Sequence, residues 1–419
     1  MSLALKGLQA IKWKVVDLPD IAFFQEGPGV RKNQYTQDGV KLLNVANLQK
    51  GKIDLTTSER YISKEEAYGR YEHFLVDEGD LIIASSGIQI SYFEEKMGFI
   101  TEQHLPLCMN TSTIRFKSLD EEVLNIRYFM YFLKTNFFKK QIQRLITGSA
   151  QLNFGPSHLK QIKVILPEIA IQDQIVELLD TTQNMIDKRQ QQIEALSALK
   201  QSVFLDMFGN PVHNTKGWIM KSIDELFEIE DGDRGKAYPK QEDLQSEGIL
   251  FLSTSNIKKN SFVLDEKKYI SCEKFDELRK GKLKKGDIIL TLRGTIGNIA
   301  LFDNPNYDTG FINAQMAILR SESINKTFFC ELYSMDVFTD HLKTHQSGSS
   351  QRQLPLRSLK KIKVINPPFD KQKEFEIKIK QIDATILSLI DSLNELDTLY
   401  DSISHKAFNG ELFKEDIQV

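Results

Sequence analysis

The chain has 419 residues, with 54 lysines and arginines against 57 aspartates and glutamates and a formal net charge of −3. Its length suits two or more domains rather than one core, its apolar runs fall far short of a membrane span, and its start lacks the layout of a signal peptide. Cys108, Cys272 and Cys330 stand far apart with no CxxC pair, which excludes a disulfide framework and a zinc site and fits a reducing cytoplasm, while the weak acidity excludes binding of nucleic acid by overall positive charge.

In chain order, residues 80–84 form a short apolar run bounded by a Gly-Asp turn and predict a strand. Residues 128–145 have the spacing of a helix that packs on that sheet, and 163–165 predict a further strand, ended by proline. Residues 169–208 contain neither glycine nor proline. Ile175, Leu179, Ile186, Ile193, Leu196 and Val203 recur there at coiled-coil spacing, interrupted by Thr182, Arg189 and Lys200. Phe208-Gly209-Asn210-Pro211 is a helix stop, and residues 209–217 form a connection.

From Trp218 the same series begins again, as it did from Trp13. Residues 287–292 predict a strand, 328–343 a helix, 363–365 a strand and 369–408 a second long helix. In that helix Phe375, Ile379, Ile382, Ile386, Leu389, Leu393, Leu396, Tyr400 and Ile403 step by four and three. A seam of about 38 residues makes a helix ~57 Å long. Two such helices in one chain are expected to pair antiparallel in a pseudo-twofold molecule.

The two series match line by line. GSAQLNFGPSHLKQIKVILP begins at Gly148 and GSSQRQLPLRSLKKIKVINP at Gly348, an offset of 200 that holds from Phe129/Phe329 to Phe208/Phe408. Earlier the offset drifts: it is 205 at Trp13/Trp218, 209 at Asn47/Asn256, 207 at Gly79/Gly286 and 203 at Asn110/Asn313. Insertions collect in loops, so the first part of each copy carries variable loops and the second is a fixed scaffold. The expected fold is two α/β (α+β) domains, 1–168 and 209–368, separated by long antiparallel coiled-coil helices at 169–208 and, with a C-terminal tail, at 369–419.

The order of variable domain, long helix, variable domain, long helix, with the doubled G-S-x-Q and L-K-x-I-K-V-I-x-P lines, Gln172 and Gln372, residues 286–297 (GDIILTLRGTIG) and 201–209 (QSVFLDMFG), closely resembles the specificity subunit of type I restriction–modification systems. The resemblance covers nearly the whole chain. It implies two target recognition domains, each reading one half of a split double-stranded DNA site. It also implies helices that set the gap and dock two DNA methyltransferase subunits, joined in some systems by motor-nuclease subunits, all in the cytoplasm. S-adenosylmethionine, ATP and magnesium are then expected only in the partner subunits, and none in this chain, which does no chemistry. Half-sites one helical turn apart lie roughly 34–36 Å between centres, within reach of such a helix.

Base readout needs polar side chains presented at groove edges. The expected DNA-binding residues are Ser85, Ser86 and Gln89 in the first copy, and Arg293, Thr295 and Asn298 in the second. Ser149 and Gln151, and Ser349, Gln351 and Arg352, form a second pair of loops for which a structural turn is an equal reading. The first copy has Ala84-Ser85-Ser86-Gly87-Ile88 where the second has Leu292-Arg293-Gly294-Thr295-Ile296, so it lacks the arginine, and if that loop approaches DNA the two domains use it differently. Lys139, Lys140 and Arg144, and Lys282, Lys284 and Lys285, read first as solvated faces.

Rival signals are weaker. Asn366-Pro367-Pro368-Phe369 matches the active-site tetrapeptide of amino-group DNA methyltransferases, and a stand-alone adenine methyltransferase is the enzymatic alternative. However, its counterpart is Leu166-Pro167-Glu168-Ile169, and no glycine-rich cofactor turn accompanies it. Asp80 with Glu94-Glu95-Lys96 resembles a nuclease metal motif by chance. There is no phosphate loop, and the seven histidines have no HExxH pattern. A protein-interaction scaffold and a module of a methylation-only or other phage-defence system remain the non-enzymatic alternatives.

Overall fold

The computed structural model describes residues 13–146, 152–294, 296–346 and 353–413. It divides into two compact units, one taking the chain up to Lys188 and again from Leu393 onward, the other taking Arg189–Ser392. The expected boundaries at 168/169 and 368/369 set the long helices apart from such units. The long helices are not domains of their own, because each gives its apolar face to the core of both units.

In the first unit, besides the two-residue strands Leu48–Gln49, Lys52–Ile53 and Leu152–Asn153, the strands are β1 (Lys14–Asp17), β2 (Ala22–Glu26), β3 (Val40–Leu43), β4 (Tyr61–Ile62), β5 (Leu81–Ala84), β6 (Ser86–Ile88), β7 (Met97–Phe99), β8 (Leu107–Met109), β9 (Thr113–Ser118) and β10 (Lys163–Leu166). β2, β9, β5 and β7 form an antiparallel sheet in that order, β8-β3-β4 form a mixed sheet, and β1 pairs with β10. The expected strand at 80–84 is β5, fully buried between two neighbours. The Gly-Asp turn before it has a structural use: Asp80 accepts from the Asp77 amide at 2.9 Å and faces Lys117 at 3.3 Å and Arg115 at 3.5 Å.

The second unit repeats the plan. Its strands are β11 (Met220–Ser222), β12 (Glu228–Asp231), β13 (Ile249–Leu252), β14 (Tyr269–Ile270), β15 (Lys282–Lys284), β16 (Asp287–Thr291), β17 (Ile299–Phe302), β18 (Thr309–Ile312), β19 (Met316–Arg320) and β20 (Lys363–Ile365). The sheets run β12-β19-β16-β17, β14-β13-β18-β15 and β11-β20. Asp287 repeats Asp80, accepting from the Lys284 amide at 2.9 Å and pairing with Arg320 at 2.7 Å.

The single helices expected at 128–145 and 328–343 are each two: α1 (Ile126–Lys134) and α2 (Asn136–Leu145), then α3 (Lys326–Ser334) and α4 (Asp336–Thr344). Thr135 (ψ 151°) and Met335 (ψ 137°) leave the helical region, and the Thr135 hydroxyl caps α2 by accepting from the Phe138 amide. The bend keeps both halves on the core, with Phe129 5.1 Å from Phe116 of β9 and Phe138 5.7 Å from Phe93 of the short helical turn Ile90–Glu95.

The long helices are Ile169–Phe208 and Phe369–Phe408, 40 residues each, the ranges free of glycine and proline. Gly209, at φ +73°, ends the first. Every predicted seam residue is buried or half-buried. In the first unit Ile175 and Leu179 share a core with Ile403, Ala407 and Phe408, and Phe408 packs on Tyr128 at 5.3 Å. In the second, Phe204 and Phe208 pack on Phe328 and Phe375 at 4.8 to 5.5 Å. There Lys200 meets Asp383 while Phe204 meets Phe375, so within this unit the helices run antiparallel.

Of the interruptions, Thr182 returns its hydroxyl to the Leu178 carbonyl, and Lys200 lies between Glu331 (2.5 Å) and Asp383 (2.9 Å). Burial pushes the Glu331 carboxyl above its ordinary range. Burial alone lowers the Lys200 ammonium, but the two carboxylates outweigh it and hold the pKa up. Among the described residues, no helix is long and apolar enough to cross a membrane, and no group of three His, Cys, Asp or Glu side chains could hold a metal.

Candidate nucleic-acid interface

In each unit the central strand, β5 or β16, carries an apolar sequence that buries it completely, and the chain must emerge at its end. It does so beside the segment preceding the scaffold line. In the first unit β6 pairs with Leu152–Asn153, bringing Ser86 opposite Asn153. The Ser86 hydroxyl donates to the Asn153 side-chain oxygen at 2.7 Å, and the Gly87 amide reaches the same oxygen at 3.2 Å. In the second unit an isolated antiparallel bridge joins Arg293 to Gln353. The Phe154 amide donates to the Ser85 carbonyl at 2.9 Å, and the Leu354 amide to the Leu292 carbonyl at 2.8 Å. Thus in each copy the emerging loop is joined, by the same hydrogen bond, to the segment that leads into the scaffold line.

Their members fare differently. Ser86 and Arg293 are half-exposed and Gln89 is exposed. Among the described residues, no hydrogen bond or ion pair engages the Arg293 side chain. Ser85 is corrected: it is 0% exposed and its hydroxyl meets no partner, because it completes the buried end of β5. Asn298 is half-exposed and already engaged. Its amide donates to the Ile257 carbonyl at 2.7 Å and accepts from the Lys259 amide at 3.1 Å, so it fastens a hairpin instead of presenting an edge. Ser149, Gln151, Thr295, Ser349, Gln351 and Arg352 lie outside the described residues.

The basic clusters are partly matched already, since Lys139 pairs with Glu94, and Lys285 with Asp308 at 2.8 Å. A free cation stands elsewhere. The exposed Arg60 guanidinium lies 5.5 Å from the Tyr35 ring centre, on a polar depression that Asn44, Thr57 and Ser112 also line. Nothing in the sequence marks Arg60, since a single arginine before a two-residue strand carries no motif.

The catalytic signals dissolve into structure. Asn366 ends β20, its amide bonded to the Ile219 carbonyl, and its side-chain oxygen accepts from Gln372. Gln372 also donates to the Pro367 carbonyl at 2.7 Å and accepts from the Asn325 amide at 2.8 Å. Gln172 does the same with Pro167, Val123 and Asn125 at 2.9 Å. The tetrapeptide therefore belongs to a clamp that starts the long helix and that the first copy builds without it. Lys96 donates to the Leu48 carbonyl and Glu94 is paired with Lys139, so the nuclease-like residues point to separate duties. Burial pushes the Cys108 thiol up to about 12, out of nucleophile range.

The sequence model described as the type I restriction modification DNA specificity domain matches residues 10–198 and again 215–398. The chain is 23% identical over 425 residues to the type I restriction enzyme StySPI specificity subunit of Salmonella potsdam, covering 96% of this chain and 89% of that one. It is 22% identical to the EcoKI specificity subunit of Escherichia coli K12, with the same coverage. The crystal structure of the S subunit of a type I restriction-modification system from M. genitalium superposes with a TM-score of 0.55 at 18% identity, over 96% of this chain and 97% of that one.

Proposed function

Since this chain belongs to the type I restriction modification DNA specificity family, we propose that it is the recognition subunit of such a complex, each unit reading one half of a bipartite DNA site. A single observation carries this reading: one frame is built twice, with Ser86 facing Asn153 in one copy and Arg293 facing Gln353 in the other. Shared frame and different side chains suit one kind of ligand with two sequences. Two methyltransferase subunits bind along the long helices, the second of which exposes Ile377, Leu387 and Ile390, and motor-nuclease subunits join where the system cleaves. The helices set the unread gap. S-adenosylmethionine, ATP and magnesium belong to those partners, and the complex works in the cytoplasm. The weak net acidity is compatible with this, because partners enclose the DNA and share its phosphate contacts.

The test is a map of modified adenines in cells that express this chain with its methyltransferase subunit, set against cells with either protein alone. A split motif with a fixed gap, present only with both, is the expected result. Modification by this chain alone would return attention to Asn366, and modification by the methyltransferase alone would remove the recognition role.

A further inference from the structure

Resting on that recognition reading, we propose that base identity is read in each unit by the turn after β8 or β18 together with the loop position beside it. Thr111, Ser112 and Ser86 serve one half-site, and Gln315 and Arg293 serve the other.

The two turns are held by the same three anchors. Each begins on the neighbouring strand, with the Asn110 amide on the Leu43 carbonyl at 3.1 Å and the Asn313 amide on the Leu252 carbonyl at 3.0 Å. Each ends against a glycine, as the Gly27 amide reaches the Thr113 carbonyl at 2.9 Å and the Gly232 amide the Met316 carbonyl at 3.2 Å. Only glycine fits there. A Cβ on Gly27 would sit 2.1 Å from the Asn110 carbonyl oxygen, and one on Gly232 would sit 2.3 Å from that of Asn313. Sideways, each turn is bonded to the emerging loop: Ser85 amide to Ser112 carbonyl at 2.9 Å, Leu292 amide to Gln315 carbonyl at 2.8 Å. That last bond sets Ser112 next to Ser86, and Gln315 next to Arg293.

Between these anchors the copies diverge. The first writes Thr111-Ser112 and the second Ala314-Gln315. Ser112 takes the left-handed region at φ +68°, and the Asn110 side chain accepts from the Thr111 amide; in the second, the Asn313 side chain accepts from the Gln315 amide. Thr111 is exposed, while Ser112 and Gln315 are half-exposed. Among the described residues, none of these three side chains has a hydrogen-bond partner. A cation flanks each turn's sheet at a matched position: Leu42 donates to the Arg60 carbonyl and Phe251 to the Lys268 carbonyl, both at 2.8 Å. Arg60 and Lys268 are exposed and suited to phosphate, which fixes register, while the turn carries the variable groups that distinguish bases. A glutamine amide matches adenine in the major groove and an arginine fork matches guanine, whereas serine and threonine hydroxyls are less selective.

The experiment uses the full chain co-expressed with its methyltransferase subunit, with modified adenines mapped genome-wide. Gln315→Ala and Arg293→Ala should each relax one position of a single half-site, with discrimination there falling on the order of 5- to 150-fold, and leave the other half-site and the gap intact. Thr111→Ala combined with Ser112→Gly, which tolerates the left-handed backbone, should alter the opposite half-site only. The unaltered half-site reports that each variant is folded and assembled. If a variant modifies nothing, its DNA selected in vitro is compared with that of the unaltered complex. Loss of preference at one half-site supports the proposal, and an unchanged preference overturns it. Wild-type half-sites in every variant, or all variants acting on the same half-site, also overturn it. If the unaltered chain gives no split motif, the recognition reading itself has failed and the proposal falls with it.

Discussion

Near the start of each long helix a buried glutamine amide is fully used: Gln172 bonds only backbone groups, and Gln372 bonds two backbone groups and the Asn366 side chain. Replacing Gln372 by alanine leaves the Asn325 amide and the Pro367 carbonyl unpaired in a dry site, and a cost of about 1–3 kcal/mol is expected as a lower urea midpoint for the second unit. Lys200→Met tests the neighbouring ion pair. Without the ammonium, burial and the nearby Asp383 carboxylate outweigh the remaining hydrogen bond from Asn260 and raise the folded pKa of Glu331 further, while its unfolded pKa stays ordinary. The native state then binds the extra proton, so the variant should be most stable in acid, below the unfolded value, and should lose stability as pH rises through the raised one. Denaturation midpoints across that range check this, and Glu331→Gln in the same chain should flatten the dependence. Residue roles were the least legible layer of the sequence. The glutamines stood out by their spacing, but their partners at Asn125 and Asn325 lie 47 residues upstream. Ser85 and Ser86 are chemically identical neighbours, and only the end of β5 decides which of them is buried.

Among the elements, the long helices were legible to the residue, because forty positions without glycine or proline and a sustained seam leave no other solution. The break at Thr135 was not legible, because the apolar spacing of residues 128–145 continues across it and only the hydroxyl cap betrays the turn. The aromatic cluster where the helices cross in the second unit should be its most sensitive point. Phe204 is buried against Phe208, Phe328 and Phe375, so Phe204→Ala should cost about 3–5 kcal/mol, read as a fall in the unfolding midpoint. Leu387→Ala, at an exposed position of the same helix pair, should leave that midpoint within about 0.5 kcal/mol of wild type.

At the scale of the molecule, the duplication was the clearest signal in the sequence. The division into units was less visible, since a heptad pattern shows that a helix has an apolar face but not which core receives it. If the helices set the gap, one extra heptad inserted in each keeps the seam register and adds ~10.5 Å of helix. The mapped motif should then keep both half-sites and lengthen its unread gap by roughly three base pairs at 3.4 Å each. The division also orders the birth of the protein. The second unit is one unbroken stretch, whereas the first needs Tyr400, Ile403, Ala407 and Phe408 to close its core. On the ribosome the unit begun first is therefore finished last. Until the second long helix emerges, Tyr128, Ile175 and Leu179 wait uncovered, an interval in which chaperones have a surface to hold and quality control can reject a chain whose translation stalls.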